Sequence, residues 1–524
     1  MRSMFIRYAP AVASGVLTAM CFPAFHFYYL AWIALVPLFW STRDTGVPQT
    51  AARFFLAGLV FHEILFQWLV VNVMWAGGWA MVGQQIVCVV LALYWALAGA
   101  LWAWFRGRLP AMIALVGLVV VWAAMEQLEA SLFTSFGWAS LGYSQGPDLP
   151  LLQWAAIGST TPIAMFLVAV NALIAHALTA PKGRVVALVA AVLIGVSAHV
   201  VGFLLLDDRE ESQDPLRVAI FQSNFPQEMK RDPEYTVEMV EKAAHRSLAY
   251  AQQRDFDLMV WPEALVMGDI GDPAIFQAIS RAAREGSFKI FTGSARREER
   301  DTNFNSSYLF DEGGAIEGVY DKMHLAPFGE YVPMADLIPF VEWLVPSIGN
   351  MTPGLEPKVF EVDGRSFGPL ICFEMLFPEM SHALWEKGAD FLVVVTNLGW
   401  FGASNAIPQE LEVSRLRAVE TRLPLVHSAN TGISGVFDPW GRFELLNGYV
   451  DSTGRVYKVR DDFTAAESRM RRLVGDFDLP EPATRPVPYP PHYAGWLSVA
   501  LSAVFIFIAA ASGRRGSREG EGKA

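Results

Sequence analysis

Long apolar runs, separated by short polar connections, fill the first 206 residues, and one more apolar run lies near the C-terminus. A helix needs about 17 to 25 apolar residues to cross a bilayer. The runs that approach or exceed this length lie at 7–24, 26–41, 53–75, 79–105, 111–128, 158–180, 184–206 and 493–512. The pattern predicts a polytopic α-helical membrane domain of about eight transmembrane helices, with a polar region between the seventh and the eighth.

Basic residues in the connections indicate how these helices are oriented. They lie at the start of the first run, flank the second, fourth and sixth connections, and follow the last run: Arg2, Arg7, Arg43, Arg53, Arg106, Arg108, Lys182, Arg184, Arg514, Arg515 and Arg518. Positively charged connections stay on the cytoplasmic side of a membrane. Both termini are therefore predicted to be cytoplasmic, and the polar region is predicted to lie on the outer side.

The polar region alternates strand-like and helical stretches. Predicted strands cover 216–222, 257–261, 288–293, 306–310, 315–321, 368–373 and 391–396. Predicted helices cover 233–254, 273–285, 377–387 and 409–422. This order is typical of an α/β fold with a largely internal sheet. We therefore divide the chain into an N-terminal membrane domain (1–206), an extracytoplasmic catalytic domain (207–480), and a Pro-rich tether with the last helix and a cytoplasmic tail (481–524).

Composition agrees with a membrane protein. Of the 524 residues, 53% are hydrophobic and only 18% are charged, and the mean hydropathy is +0.31, which is more apolar than a soluble enzyme of this size. The net charge of −12 argues against a nucleic-acid partner. Cys21 and Cys88 lie in apolar runs, so Cys372 is the one Cys of the polar region. Neither a disulfide framework nor a metal-binding spacing is present, and we predict no metal and no cofactor.

Three residues of the polar region carry the candidate chemistry: Glu263 in Val-Trp-Pro-Glu, Lys322 in Tyr-Asp-Lys and Cys372 in Leu-Ile-Cys-Phe-Glu. Each follows a strand-like run, and the carboxyl ends of parallel strands meet at one edge of a sheet. A carboxylate that takes the thiol proton, a thiolate that attacks a carbonyl and an ammonium that meets the oxyanion make an acyl-transfer site. Taken singly, the two charges are also compatible with ordinary loop residues, and the thiol with a buried structural Cys.

The position of Cys372 between a strand and a helix near Pro378 predicts a sharp turn that exposes the nucleophile. A helix N-terminus and a nearby lysine lower the pKa of a thiol, so we expect this thiol to be partly ionised. Between Lys322 and Cys372 lies an apolar segment without clear period, 340–351. We expect a mobile lid there that contacts lipid through Trp343 and Leu344; the alternative is a loop packed on its own domain.

The motifs, in their order along the chain, resemble the nitrilase superfamily: Trp-Pro-Glu at 261–263, the segment 322–333 ending in Pro-Phe-Gly-Glu-Tyr-Val-Pro, and Ile-Cys-Phe-Glu at 371–374. With seven predicted helices before this region and one after it, the chain resembles the membrane branch, the apolipoprotein N-acyltransferase family. Segments 218–227, 397–402, 429–433 and 142–145 also resemble that family.

The resemblance implies an αββα sandwich in which Glu263 is the general base, Lys322 stabilises the oxyanion and Cys372 is the nucleophile. It also implies supporting roles for Glu330, Glu374, Asn397 and Trp400. The chain departs from the family pattern at three positions, which are Phe373, Leu398 and Glu129.

The implied reaction moves a fatty acyl chain from a phospholipid, through a thioester on Cys372, to the α-amine of a diacylglyceryl-cysteine at the N-terminus of an apolipoprotein. The implied location is the bacterial inner membrane, with the catalytic domain in the periplasm. Two other functions stay open. A membrane-tethered amidase would hydrolyse the same acyl-enzyme with water, and a non-catalytic membrane protein would only bind a ligand and would tolerate Cys372→Ala.

Overall fold

The computed structural model describes residues 2–23, 25–72, 79–132, 135–206, 215–299, 302–327, 329–331, 351–451, 454–460, 462–487 and 490–521. The chain divides into two compact units. The first comprises Met1–Val70, Ala80–Leu206 and Pro486–Ala524, and the second comprises Val71–Trp79 and Asp207–Arg485.

The first unit is helical. Its α-helices cover Arg2–Cys21, Val36–Ser41, Val47–Leu65, Trp79–Arg106, Ala111–Ser131, Leu149–Leu152, Ala155–Gly158, Thr160–Thr179, Arg184–Leu205 and Tyr493–Glu521. The first residue of the helix Trp79–Arg106 is assigned to the second unit. Short 3-10 turns cover Tyr28–Trp32, Gln67–Asn72, Gly137–Ala139 and Leu141–Gln145. Many apolar side chains stay exposed on these helices, as on Arg184–Leu205, and this exposure is what a lipid environment favours over water.

Within the described residues, five helices are long and apolar enough to cross a membrane: Met81–Arg106, Ala111–Ser131, Thr160–Thr179, Arg184–Leu205 and Tyr493–Ser512. The predicted runs at 7–24 and 53–75 fall mainly on helices of 20 and 19 residues. The run at 26–41 is shorter and is broken into a 3-10 turn and a six-residue α-helix. A membrane domain is thus present, and the count of about eight helices stays a prediction.

The second unit contains two mixed β-sheets. The strands are β1 Leu216–Gln222, β2 Leu258–Val260, β3 Val266–Asp269, β4 Lys289–Glu299, β5 Thr302–Phe310, β6 Ile316–Asp321, β7 Phe360–Val362, β8 Arg365–Ile371, β9 Phe391–Thr396, β10 Leu425–Ala429, β11 Gly435–Phe437, β12 Phe443–Leu445, β13 Gly448–Val450, β14 Val456–Lys458 and β15 Leu473–Leu479. The first sheet has the order β15-β1-β2-β4-β5-β6, with β3 beside β4. The second has the order β12-β11-β10-β9-β8-β7, and β13 pairs with β14.

Parallel pairing places the ends of the central strands together. In the first sheet β1, β2 and β4 run parallel, and in the second β8, β9 and β10 do so. Every residue of β9 is buried, as expected for a central strand of a parallel sheet. The functional side chains described below follow β2, β6 and β8.

The two sheets pack face to face and are covered by helices. Val218 and Phe291 of the first sheet share a buried cluster with Phe367 and Val393 of the second. A second cluster lies between the first sheet and the helices Thr236–Ala251 and Pro273–Gly286. On the second sheet, the helix Pro378–Glu386 packs on β8 and the helix Ala406–Thr421 on β10. The short helices of this unit are Gln227–Arg231, Ala465–Ser468 and the 3-10 turns Pro233–Tyr235, Cys372–Leu376 and Leu398–Phe401. The predicted αββα sandwich is confirmed.

Candidate active site

Glu263 lies in a tight turn directly after β2. Pro262 ends the strand because it has no N–H to donate, and Ala264 turns the chain away with φ +51°. The turn lies against Gly293 of β4, where an added β-carbon would stand 2.8 Å from the Cα of Glu263. Only glycine leaves room for this approach. The Glu263 side chain is consequently held almost fully buried, at 7% exposure.

Lys322 follows β6 and is 1% exposed. Its backbone N–H donates to the carbonyl of Asn305 on the neighbouring strand, at 2.8 Å. Its Nζ lies 2.9 Å from Oε2 of Glu330 and 3.8 Å from Oε1 of Glu263. Burial opposes the charge, but the carboxylates of Glu330 and Glu263 outweigh burial and raise the pKa of Lys322. The ammonium is therefore permanently charged at neutral pH.

Asn305 links the two carboxylates around this lysine. From its place on β5, its Nδ2 donates to Oε1 of Glu263 at 2.9 Å and to Oε1 of Glu330 at 2.6 Å. The same Glu330 carboxylate accepts the N–H of Ala326 at 2.7 Å, which closes the loop after Lys322. Sequence analysis missed Asn305, because an Asn inside a strand carries no motif of its own.

Cys372 begins the 3-10 turn Cys372–Leu376 at the end of β8. Its backbone has φ +51°, a left-handed conformation that is rare for residues other than glycine. Such a strained strand-to-helix turn presents a nucleophile. Burial and the Glu263 carboxylate raise the pKa of the Cys372 thiol, while Lys322 lowers it. The expectation of a partly ionised thiol was thus wrong for the resting site, since burial outweighs the lysine and the helical turn.

Glu374 joins this turn to the loop after Lys322 through hydrogen bonds. Its Oε2 accepts the N–H of Ile371 at 2.8 Å. Its Oε1 accepts the hydroxyl of Tyr320 at 2.7 Å and the backbone N–H groups of Met323 and His324 at 2.6 and 3.2 Å. The carboxylate is fully buried, so these four bonds replace its lost hydration. Glu374 therefore couples the positions of Cys372 and Lys322.

Asn397 belongs to a buried amide network at the end of β9. Its Oδ1 accepts Nδ2 of Asn430 at 2.9 Å, and its Nδ2 donates to Gln227 at 3.2 Å. Oδ1 also accepts the N–H of Gly399 at 3.3 Å, in the 3-10 turn Leu398–Phe401 that holds Trp400. Asn397 thus positions that turn.

Lys230 is a second buried lysine near the site. Its Nζ lies 3.4 Å from the backbone carbonyl of Glu263, and the residue is 2% exposed. Burial lowers its pKa to about 7, although the Glu263 carboxylate acts in the opposite direction. No sequence motif pointed to it.

The remaining predicted residues fall outside this cluster or outside the described chain. Trp343 and Leu344 lie outside the described residues, so the lid stays a prediction. Of the three departures, Phe373 packs edge-on against Phe377 with centroids 5.4 Å apart. Leu398 is buried, and Glu129 is buried in a helix of the first unit.

Comparison with known proteins matches both units. The family model described as apolipoprotein N-acyltransferase N-terminal domain matches residues 14–173, and that described as carbon-nitrogen hydrolase matches residues 217–448. The apolipoprotein N-acyltransferase of Geobacter metallireducens is 35% identical over 453 residues, which is 83% of this chain and 85% of the relative. That of Haemophilus influenzae is 28% identical, covering 87% and 89%. Among solved structures, a mutant amidase of the nitrilase superfamily from Nesterenkonia AN1 is 21% identical with a TM-score of 0.36, covering 51% of this chain and 93% of that chain.

Proposed function

This chain belongs to the apolipoprotein N-acyltransferase family, and from that premise we propose its substrates, its residues' roles and its orientation. The acyl donor is a phospholipid, and the acceptor is the α-amine of the diacylglyceryl-cysteine that begins an apolipoprotein. The enzyme spans the bacterial inner membrane with both termini in the cytoplasm and residues 207–480 in the periplasm. No metal or organic cofactor takes part.

In the first half-reaction, Cys372 is the nucleophile. The Glu263 carboxylate takes the thiol proton as Sγ attacks the ester carbonyl of the phospholipid, because the thiol alone is not ionised. The Lys322 ammonium stabilises the oxyanion that develops. When the C–O bond breaks, Glu263 returns the proton to the departing alkoxide, and a lysophospholipid leaves. The acyl chain then rests on sulfur as a thioester.

In the second half-reaction, the neutral acceptor amine attacks the thioester. Glu263 accepts a proton from the attacking nitrogen, the C–S bond breaks, and the proton passes to the Cys372 thiolate. The product is an amide, and the enzyme returns to its resting state. Glu330 positions Lys322 and Asn305 positions Glu263. Glu374 positions the turn that carries Cys372.

One observation carries this proposal. A carboxylate, an ammonium and a thiol from three separate strand ends meet in one buried site: Nζ of Lys322 lies 3.8 Å from Oε1 of Glu263, and both charges act on the Cys372 thiol. Buried charges of this kind act strongly because water does not screen them. The arrangement supplies the base, the nucleophile and the oxyanion donor that a thiol acyl-transfer enzyme needs.

The test is incubation of the detergent-solubilised enzyme with phospholipid alone, followed by intact-mass analysis. Wild-type protein is expected to gain one fatty acyl chain, which neutral hydroxylamine removes. Cys372→Ala is expected to gain nothing, whereas the matched control Cys88→Ala, which changes a buried thiol of the first unit, is expected to acylate normally. Glu263→Gln and Lys322→Met are expected to acylate far more slowly, the latter by a loss of roughly 3 to 4 kcal/mol.

The acceptor distinguishes this function from an amidase. Addition of a diacylglyceryl peptide is expected to discharge the thioester onto the peptide amine. Discharge onto water at the same rate with and without the peptide would establish the hydrolase instead. An adduct that survives Cys372→Ala would exclude the thioester mechanism.

A further inference from the structure

Glu410 is a buried carboxyl that the mechanism above does not use. It lies in the first turn and a half of the helix Ala406–Thr421 and is 1% exposed. Among the described residues, neither of its carboxylate oxygens has a hydrogen-bond partner. Its neighbours on the helix differ, since Glu412 pairs with Arg415 at 2.7 Å. An unpaired buried carboxyl costs free energy, and a buried ionisable group beside a reactive side chain is a candidate functional residue.

The surroundings of Glu410 place it at the nucleophile. Its helix packs against the turn Cys372–Leu376 and against the turn Leu398–Phe401. Its charge acts on the Cys372 thiol, and the charges of Glu263 and Lys322 act on it in turn. The hydroxyl of Thr396 favours the ionised forms of both the Glu410 carboxyl and the Cys372 thiol. Glu410 therefore approaches the site from the second sheet's helix, whereas Glu263 approaches it from the first sheet.

The second half-reaction requires two proton acceptors. An α-amine is largely an ammonium at neutral pH, because its ordinary pKa is about 7.7 to 8.0. It must lose one proton before its lone pair can attack and a second when the amide forms. Glu263 takes the second and returns it to the Cys372 thiolate, so the first needs another base.

We propose that Glu410 binds the acceptor's α-ammonium beside the Cys372 thioester and takes the first of its two protons. The inference rests on the proposed function and names the residue that serves the amine half-reaction. Burial raises the pKa of Glu410 to about 8, close to that of the ammonium. The acid form that predominates at neutral pH first releases its own proton to solvent, and the carboxylate then takes the ammonium proton at little cost. In a buried site the neutral pair of carboxylic acid and amine is favoured over two charges.

The protons balance along this route. The N–H bond of the ammonium breaks and its proton passes to the Glu410 carboxylate. The neutral nitrogen then forms the N–C bond as Glu263 takes the next proton, and the C–S bond breaks. Glu263 reprotonates the thiolate, and Glu410 releases its proton to solvent when the product leaves.

The experiment separates the two half-reactions. Enzyme acylated with phospholipid is freed of donor and mixed with either the diacylglyceryl peptide or hydroxylamine, which is a neutral nucleophile at neutral pH. Glu410→Gln is expected to acylate within about threefold of wild type and to react with hydroxylamine at the wild-type rate. Its transfer to the peptide is expected to slow by about 100-fold, the size of a general-base contribution.

Two further variants complete the test. Glu412→Gln changes a buried acid on the same helix and is expected to keep the wild-type ratio of peptide to hydroxylamine discharge. Glu410→Asp retains a carboxylate and is expected to recover part of the peptide rate. Equal slowing with both nucleophiles, or an unchanged peptide rate in Glu410→Gln, would overturn the assignment of Glu410 alone. Failure of wild-type enzyme to acylate would overturn the proposed function and this inference together.

Discussion

The hydroxyl of Tyr320 donates a 2.7 Å hydrogen bond to Oε1 of Glu374. Tyr320 lies on β6 of the first sheet, and Glu374 lies in the turn after β8 of the second. The same carboxylate binds the backbone on both sides, at Met323 and at Ile371. The ammonium of Lys322 and the thiol of Cys372 are therefore set in place by one buried acid.

Glu374→Gln is predicted to weaken both the fold and the first half-reaction. Glutamine replaces one accepting oxygen by an NH2 group, which then faces a backbone N–H without an acceptor. The loss is expected to be about 1.5 to 3 kcal/mol, as for a hydrogen bond to a charged group. The acylation rate and the thermal midpoint should both fall. Tyr320→Phe is the control, since it removes one of four donors; an effect as large as that of Glu374→Gln would contradict the shared role.

Asn305 is predicted to matter because it is neutral as well as because of its contacts. Asn305→Ala removes the amide between Glu263 and Glu330, and acylation is expected to slow by about tenfold, the effect of roughly 1.4 kcal/mol. Asn305→Asp places a third carboxylate beside the other two and is expected to be slower still. Rapid-quench measurement of acyl-enzyme formation checks the order. An Asp variant that is faster than the Ala variant would contradict it.

Lys230 predicts a pH dependence of stability. Its pKa is about 7 in the folded protein, whereas an unburied lysine, as in the unfolded chain, has the ordinary value of 10.5. Between these values the unfolded chain binds a proton that the folded protein lacks, so stability rises with pH, by at most about 1.4 kcal/mol per unit. Lys230→Met lacks this contribution. The thermal midpoint of wild type should rise relative to that of Lys230→Met between about pH 7 and 10, and parallel curves would count against a neutral buried lysine.

The alternating basic connections predict the orientation in the membrane. Reporter fusions after Pro181 and after Gln213 are expected to report opposite sides, because helix Arg184–Leu205 lies between them. A single Cys introduced at an exposed position of the second unit, such as Glu444, should react with a reagent that does not cross the inner membrane. Labelling of that Cys only after the inner membrane is permeabilised would show that the topology is the reverse of the proposed one.

Local patterns predicted the longer elements of this unit because continuous apolar runs mark its buried strands, and the helices lie between those runs. The helix expected at 409–422 is observed at Ala406–Thr421, and the strand expected at 391–396 matches β9. Short strands such as β11 and β13, of three residues each, were missed, because so few residues show no period. The broken run at 26–41 was read as one span since both of its parts are apolar.

The candidate site also contains residues that the sequence could not predict. Glu263, Lys322 and Cys372 follow strands and stand in motifs, so the sequence pointed to them. Asn305 and Glu410 come from the interior of a strand and of a helix. Asn305 reaches Glu263 because β5 lies in the same sheet as β2 and β6, whereas Glu410 approaches the site from a helix on the second sheet. The raised pKa of Cys372 was likewise beyond the sequence, since burial is a property of the packed domain.

The left-handed backbone of Cys372 sets a limit on engineering this enzyme. A residue other than glycine in the left-handed region destabilises the fold by of the order of 1 to 3 kcal/mol. The packing around Cys372 has to offset this strain. Selection for heat resistance alone would favour the substitution Cys372→Gly, which relaxes the turn and abolishes the thiol. Thermal stability and catalytic activity therefore place opposite demands on position 372. Substitutions that raise stability without loss of activity have to be sought outside the active site.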